Sequence, residues 1–264
     1  MTLDSSWRQS PTGGLARASL AETIGTFAFV FVGAGAVCVQ AWEGDLGPLA
    51  VAAAHGLVLA VMITATAHLS GGHLNPAVTV ALLAGSRISK RQALTHVAAQ
   101  LAGATLAGAL LGILFATGRN PEALGDVLSY AANEAALGTP SFAPTVISPL
   151  AAVLLEALLT FVLVFVTYAT LVDPRGPRFG GLWVGLAYAA LMLVGQPFTG
   201  AAMNPARAFG PLIAGGKLTL DLWAQHWVYW AGPLAGALAA AALYEAAFLP
   251  KLARPVGRSN LTER

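Results

Sequence analysis

The chain has 264 residues, of which 56% are hydrophobic and 10% charged, with a net charge of +2 and a mean hydropathy of +0.69. Soluble domains carry roughly 25% charged residues. With so few, a protein of this length would show water large apolar patches, so a soluble fold is excluded and the bilayer is the expected solvent. The near-balanced charge gives no footing for nucleic acid, and a single cysteine, Cys38, excludes an intramolecular disulfide or a cysteine-rich metal site.

The polar stretch Met1 to Leu15 runs into an apolar segment with no small-residue cleavage site, so no removable signal peptide is expected. A membrane-crossing helix needs about 20 apolar residues. Six stretches qualify, near 16–41, 47–69, 91–116, 148–172, 180–199 and 222–248. Several are rich in Gly and Ala, as in Ala99-Gln100-Leu101-Ala102-Gly103 and Gly232-Pro233-Leu234-Ala235-Gly236. Such residues let helices approach closely in lipid. Arg8, Arg17, Arg87, Lys90, Arg91, Arg175, Arg178, Lys251, Arg254 and Arg258 fall on one side. The opposite loops hold Glu43, Asp45, Glu122, Asp126, Glu134 and Asp221, with Arg119 and Lys217 as their cations. The positive-inside rule then makes both termini cytoplasmic, and a multi-pass protein of the cell membrane is expected.

The chain also repeats itself. Glu22-Thr23-Ile24-Gly25-Thr26-Phe27 returns 134 residues later as Glu156-Ala157-Leu158-Leu159-Thr160-Phe161, and Leu101-Ala102-Gly103-Ala104 returns after 133 as Leu234-Ala235-Gly236-Ala237. Between them, Asn75-Pro76-Ala77 returns after 129 as Asn204-Pro205-Ala206. Three pairs in the same order are more than apolar chance. Three spans per half force the second half to enter the membrane inverted, an arrangement suited to transport at the repeat interface. The expected organisation is one domain over 1–264, with repeats at about 16–116 and 148–248.

Each Asn-Pro-Ala precedes an apolar run too short to span, Val78 to Gly85 and Arg207 to Gly215. Asparagine favours the N-cap and proline the first helical position, so each tripeptide reads as the start of a re-entrant half-helix. One such tripeptide is a weak signal that often only caps a helix; two at matching repeat positions are a strong one. Inserted from opposite faces, the half-helices would bring their N-termini together at mid-membrane. Each carries roughly half a positive charge, a field that repels cations. Amide N–H groups of Asn75 and Asn204 facing the pore would orient a water so that its neighbours cannot relay a proton.

Ser70-Gly71-Gly72-His73-Leu74-Asn75-Pro76-Ala77-Val78 and Gly200-Ala201-Ala202-Met203-Asn204-Pro205-Ala206-Arg207 resemble the two signature loops of the aquaporin superfamily, and the likeness runs from Glu22 to about Tyr244. The resemblance implies an all-α membrane protein of six tilted transmembrane helices plus two re-entrant half-helices in an inverted 3+3 repeat, assembled as a homotetramer with one pore per subunit. It implies a passive channel for water and small uncharged solutes, without cofactor or metal. It makes Glu22 and Glu156 anchors for the re-entrant loops; the default reading of such intramembrane carboxylates is a proton relay. Gln100 reads as packing glue. His68, His73, His96 and His226 lack sibling ligands at metal spacing. His73 either lines the cytoplasmic vestibule or bonds loop carbonyls.

The resemblance places the narrowest ring at His55, Met192, Ala201 and Arg207. Arg207 would supply positive charge and donors, bonding carbonyls near Gly200 and Ala201. Water-selective members carry Phe, His, Cys or Thr, and Arg there; glycerol facilitators carry Trp, Gly, Phe and Arg. This chain departs from both. His55 resembles the plant tonoplast branch, whose members also pass ammonia, and Ala201 and Met192 predict a wider ring, with the His55 nitrogen open to a solute. Ala208 and Tyr229-Trp230 are water-channel markers and oppose glycerol. The alternatives are an aquaglyceroporin or metalloid channel, and, from another class, a coupled secondary transporter, which would need an acid in the pore-lining segments. No nucleophile, base and metal ligands converge as an enzyme requires. Mercury-sensitive relatives carry cysteine where this chain has Ala201; Cys38 is expected towards the outer end of the first span, away from the pore.

Overall fold

A computed structural model describes residues 14–116 and 135–249; Arg8, Arg119, Glu122, Asp126, Glu134, Lys251, Arg254 and Arg258 lie outside them. Among the described residues there are eight α-helices and no strand: α1 (Gly14–Glu43), α2 (Gly47–Ser70), α3 (Pro76–Ala84), α4 (Lys90–Ala116), α5 (Pro149–Thr167), α6 (Gly180–Thr199), α7 (Pro205–Gly215) and α8 (Val228–Ala247). A π-helical turn, Tyr168–Val172, extends α5. Five of them, among the described residues, are long and apolar enough to cross a membrane; α8, with 20 residues, is the sixth long helix. The half-helices α3 and α7 have 9 and 11 residues.

The sixth span was expected from 222, but α8 begins at Val228, and Gly216–Gln225 forms a 3-10 connection instead. Gly216, with φ 53°, turns the chain out of α7, and the Thr219 hydroxyl donates back to the Leu212 carbonyl. Leu220 and Trp223 lie exposed along this connection and prolonged the apolar run. Sequence hydropathy cannot separate such a connection from a helix start.

The fold is polar inside and apolar outside. Glu22, His55, Gln100, Glu156 and Arg207 are buried, whereas Leu57, Val61, Leu154 and Leu158 are exposed on the flanks. In lipid that outward face is the solvated one, and the buried polar groups must find partners within the protein. The packing follows the repeat: α1 lies against α4 as α5 lies against α8, and α1 against α2 as α5 against α6. The half-helices cross over, α3 packing on α8 and α7 on α4, so each repeat completes the other. Helices α2 and α6 meet at Gly56 and Gly185, where a Cβ on Gly56 would stand 2.5 Å from the Gly185 carbonyl oxygen. Gly103 against the Thr23 carbonyl and Gly236 against the Ala157 carbonyl are the equivalent close approach in each half.

Candidate functional site: a pore between the repeats

Both half-helices start as their sequences predict. Asn75 caps α3, its Oδ1 accepting from Ala77 N at 2.8 Å; Asn204 caps α7, accepting from Ala206 N at 3.0 Å and Arg207 N at 3.3 Å. Pro76 and Pro205 occupy the first turn, where a missing N–H costs nothing. Ala77 and Ala206 are fully buried just behind. The two N-termini meet. Asn75 Nδ2 donates to Met203 O at 2.9 Å and Asn204 Nδ2 donates to Leu74 O at 2.8 Å, a reciprocal brace between the loops. Both asparagines line an elongated cavity that also touches Gly72, His73 and Tyr188. Each amide therefore spends one N–H on the opposite loop and keeps one.

The loops that carry these caps hold an unusual backbone. Leu74 and Met203 both sit at φ 49°, and Ala201 at 46° matches Gly72 at 62°. Left-handed non-glycine residues cost about 1 kcal/mol or more each, so something must hold them. Glu22 does so on the first loop, accepting from Ser70 Oγ (2.6 Å), His73 N (2.9 Å), Leu74 N (2.7 Å) and Gln100 Nε2 (2.7 Å). Glu156 does so on the second, accepting from Thr199 Oγ1 (2.7 Å), Ala202 N (2.9 Å) and Met203 N (2.8 Å). Pro233 stands at the repeat position of Gln100, which accounts for the missing fourth donor. Gln100 is thus a polar tie, also donating to Thr79 Oγ1 at 2.9 Å.

The four expected ring residues are all buried, and two of them touch. Arg207 Nη2 lies 3.3 Å from His55 Nε2. His55 Nδ1 faces the Val51 carbonyl at 2.9 Å, which fixes the proton on Nδ1 and leaves Nε2 as an acceptor. The nitrogen expected to serve a solute is therefore already turned to Arg207. The arginine differs from expectation too: Nη1 donates to Gly138 O at 2.6 Å, not to Gly200 or Ala201. The Tyr188 hydroxyl donates to the nearby Ala202 carbonyl at 2.8 Å and lies 3.4 Å from that of Ala201. Arg207 Nε has no protein partner. Met192 and Ala201 belong to the apolar cluster that also contains Tyr188, Leu159 and Phe29. Cys38 is fully buried near the end of α1, where the sequence put it.

On the cavity that the cap asparagines line, His73 has a determined tautomer. Thr79 Oγ1 donates its one proton to Asn75 O and accepts from Gln100, so His73 Nδ1, 3.1 Å away, must be the donor. His73 Nε2 is left bare on the cavity side. The ring packs 5.0 Å from that of His96, whose Nε2 faces the Ser70 carbonyl. His73 thus lines the cavity and is bonded by a side chain rather than by loop carbonyls. Among the described residues no cluster of three or more His, Cys, Asp or Glu could hold a metal ion.

Three contributors escaped the sequence reading. Tyr188 stacks on His55; Gly33 lets the imidazole lie against α1, where a Cβ would stand 2.5 Å from it; Gly138 supplies the carbonyl for Arg207. None belongs to a motif. Only Gly33 left a trace, as one glycine among many in the first span.

Comparison with known proteins agrees with this architecture. The sequence model of the Major intrinsic protein family matches residues 9–244. Aquaporin TIP4-4 of Zea mays is 45% identical over 252 residues, covering 92% of this chain and 90% of that protein. Probable aquaporin TIP3-2 of Arabidopsis thaliana is 40% identical over 258 residues, covering 92% and 88%. Among solved structures, the aquaglyceroporin from Plasmodium falciparum superposes with a TM-score of 0.72 at 25% identity, covering 88% of this chain and 96% of that one. With the inverted repeat and the paired half-helix starts, the match over nearly the whole length makes this chain a member of the major intrinsic protein family, the aquaporin superfamily of membrane channels.

Proposed function

We propose that the single domain is a passive pore for water and small uncharged solutes, with Asn75 and Asn204 as its central donors and His55, Met192, Ala201 and Arg207 as its selecting ring. The observation that carries this is the reciprocal brace: each cap asparagine holds the opposite loop and still has an N–H to spend on the cavity. A water that accepts from both amides presents its own protons outward along the file, and no proton relay passes through it. The half-helix N-termini and the Arg207 guanidinium add positive potential that repels cations. No acid lines the cavity among the described residues, and Glu22 and Glu156 are both occupied by loop donors, which disfavours a coupled carrier. The subunit works in a homotetramer, as the family resemblance implies, in the cell membrane with both termini cytoplasmic, as the loop charges indicate.

Ammonia is the second solute. Ala201 offers little bulk at the ring; neutral ammonia is small enough for that opening, whereas ammonium meets the positive field. Vesicles loaded with a pH dye and given an ammonia gradient should alkalinise faster with protein than without. Equal rates would restrict the pore to water. Arg207→Val should admit bulkier solutes such as glycerol; unchanged selectivity in that variant would remove Arg207 from the ring.

A further inference from the structure

Tyr188 stands behind the ring on α6 and is fully buried. Its hydroxyl donates to the Ala202 carbonyl at 2.8 Å and reaches the Ala201 carbonyl at 3.4 Å. Its ring lies nearly parallel to His55, 9° between planes with centroids 6.0 Å apart, and meets the edge of Phe29 from α1 at 5.3 Å. Arg207 is reached through His55, whose Nε2 lies 3.3 Å from Arg207 Nη2. One side chain therefore touches the ring through α2 and through the second re-entrant loop. Leu59, at the matching position of the first repeat, lines the same cavity but has no hydroxyl. The brace exists only in the half that carries Arg207.

We propose that Tyr188 is a specificity-determining positioning residue: it braces His55, and through it Arg207, against the Ala201–Ala202 backbone and so sets the width of a ring to which it does not belong. The inference rests on the ring assignment above. Two chemically separate actions follow. The hydroxyl holds the loop carbonyls in place, while the flat ring keeps His55 upright against Gly33. Tyr188→Phe removes the first and retains the second. Tyr188→Leu removes both.

The test measures urea, glycerol and water permeability of the full chain in the same proteoliposomes and compares ratios, which do not depend on how much protein inserts. Tyr188→Phe should raise the urea-to-water ratio about fivefold, the weight of one net hydrogen bond. Tyr188→Leu should raise it further and extend the gain to glycerol. If both variants keep the unmodified ratio, or lose water and urea permeability in step, Tyr188 is only a packing residue and the inference is overturned. An unmodified protein that passes no more water than empty vesicles would instead overturn the channel reading itself, so the two failures are distinguishable.

Discussion

Glu22 and Glu156 show how a buried charge can be structural. Between them they accept from four backbone N–H groups and three side chains, and these bonds hold the left-handed loop residues in place. A glutamine there would turn N–H against N–H. Each buried donor left unpaired costs about 1–3 kcal/mol, so Glu156→Gln should sharply lower the melting temperature and yield of the purified channel. A proton-coupled role would instead leave stability intact and abolish gradient-driven flux, which thermal unfolding and a flux assay separate. Mercury tests the ring from the other side. Cys38 is sealed within α1, so brief exposure to mercurials should leave water flux unchanged, and Ala201→Cys should create block. Rapid block of the unmodified protein would mean that Cys38 is reachable from the pore. At this scale the sequence was legible wherever a residue sat in a motif or repeated at a fixed offset. Tyr188 and Gly138 were not, because each acts through contacts with residues distant in the chain, and the His55 nitrogen was misjudged because its partner lies 152 residues away.

The half-helices were legible as elements because Asn-Pro is a start signal and their runs are too short to span. The connection into α8 was not, since Leu220 and Trp223 are as apolar as a helix start would be. Neither was the inner end of α5, where Asp173 N bonds Tyr168 O to close the π-turn. There Arg175 holds Asp173 through two side-chain contacts, at 2.9 and 2.6 Å, and donates to Phe248 O at 2.6 Å. Tyr244 donates to the same carboxylate at 3.2 Å. The loop between α5 and α6 is thereby tied to the end of α8. The Arg175 hydrogen bond holds the Asp173 carboxyl down at about 2, against burial, which acts to raise it. A carboxylate with a lowered pKa stabilises fully above its ordinary range and loses that contribution as pH falls through the lowered value. The clamp should therefore be constant from pH 8 to pH 5. Asp173→Asn should loosen it at every pH in that range, read as faster trypsin cleavage at Arg175 or Arg178. Cleavage that accelerates between pH 7 and pH 5 in the unmodified protein would contradict this account.

The whole molecule is two half-structures that cannot stand alone. Each half-helix packs on the last helix of the other repeat, and each cap asparagine bonds the other loop, so the pore exists only where the halves interlock. The repeat offsets exposed this pairing in outline; the crossing-over of α3 and α7 needed three dimensions, because equal offsets are compatible with each half-helix staying in its own repeat. The central claim is that this interlock passes water while breaking the proton path. It is tested by following osmotic swelling and internal pH together in vesicles containing the channel. Swelling should be fast, weakly dependent on temperature and indifferent to imposed proton or sodium gradients, while internal pH under a proton gradient stays at the leak rate of protein-free vesicles. Proton entry that rises in step with water flux, or swelling that requires an ion gradient, would contradict it.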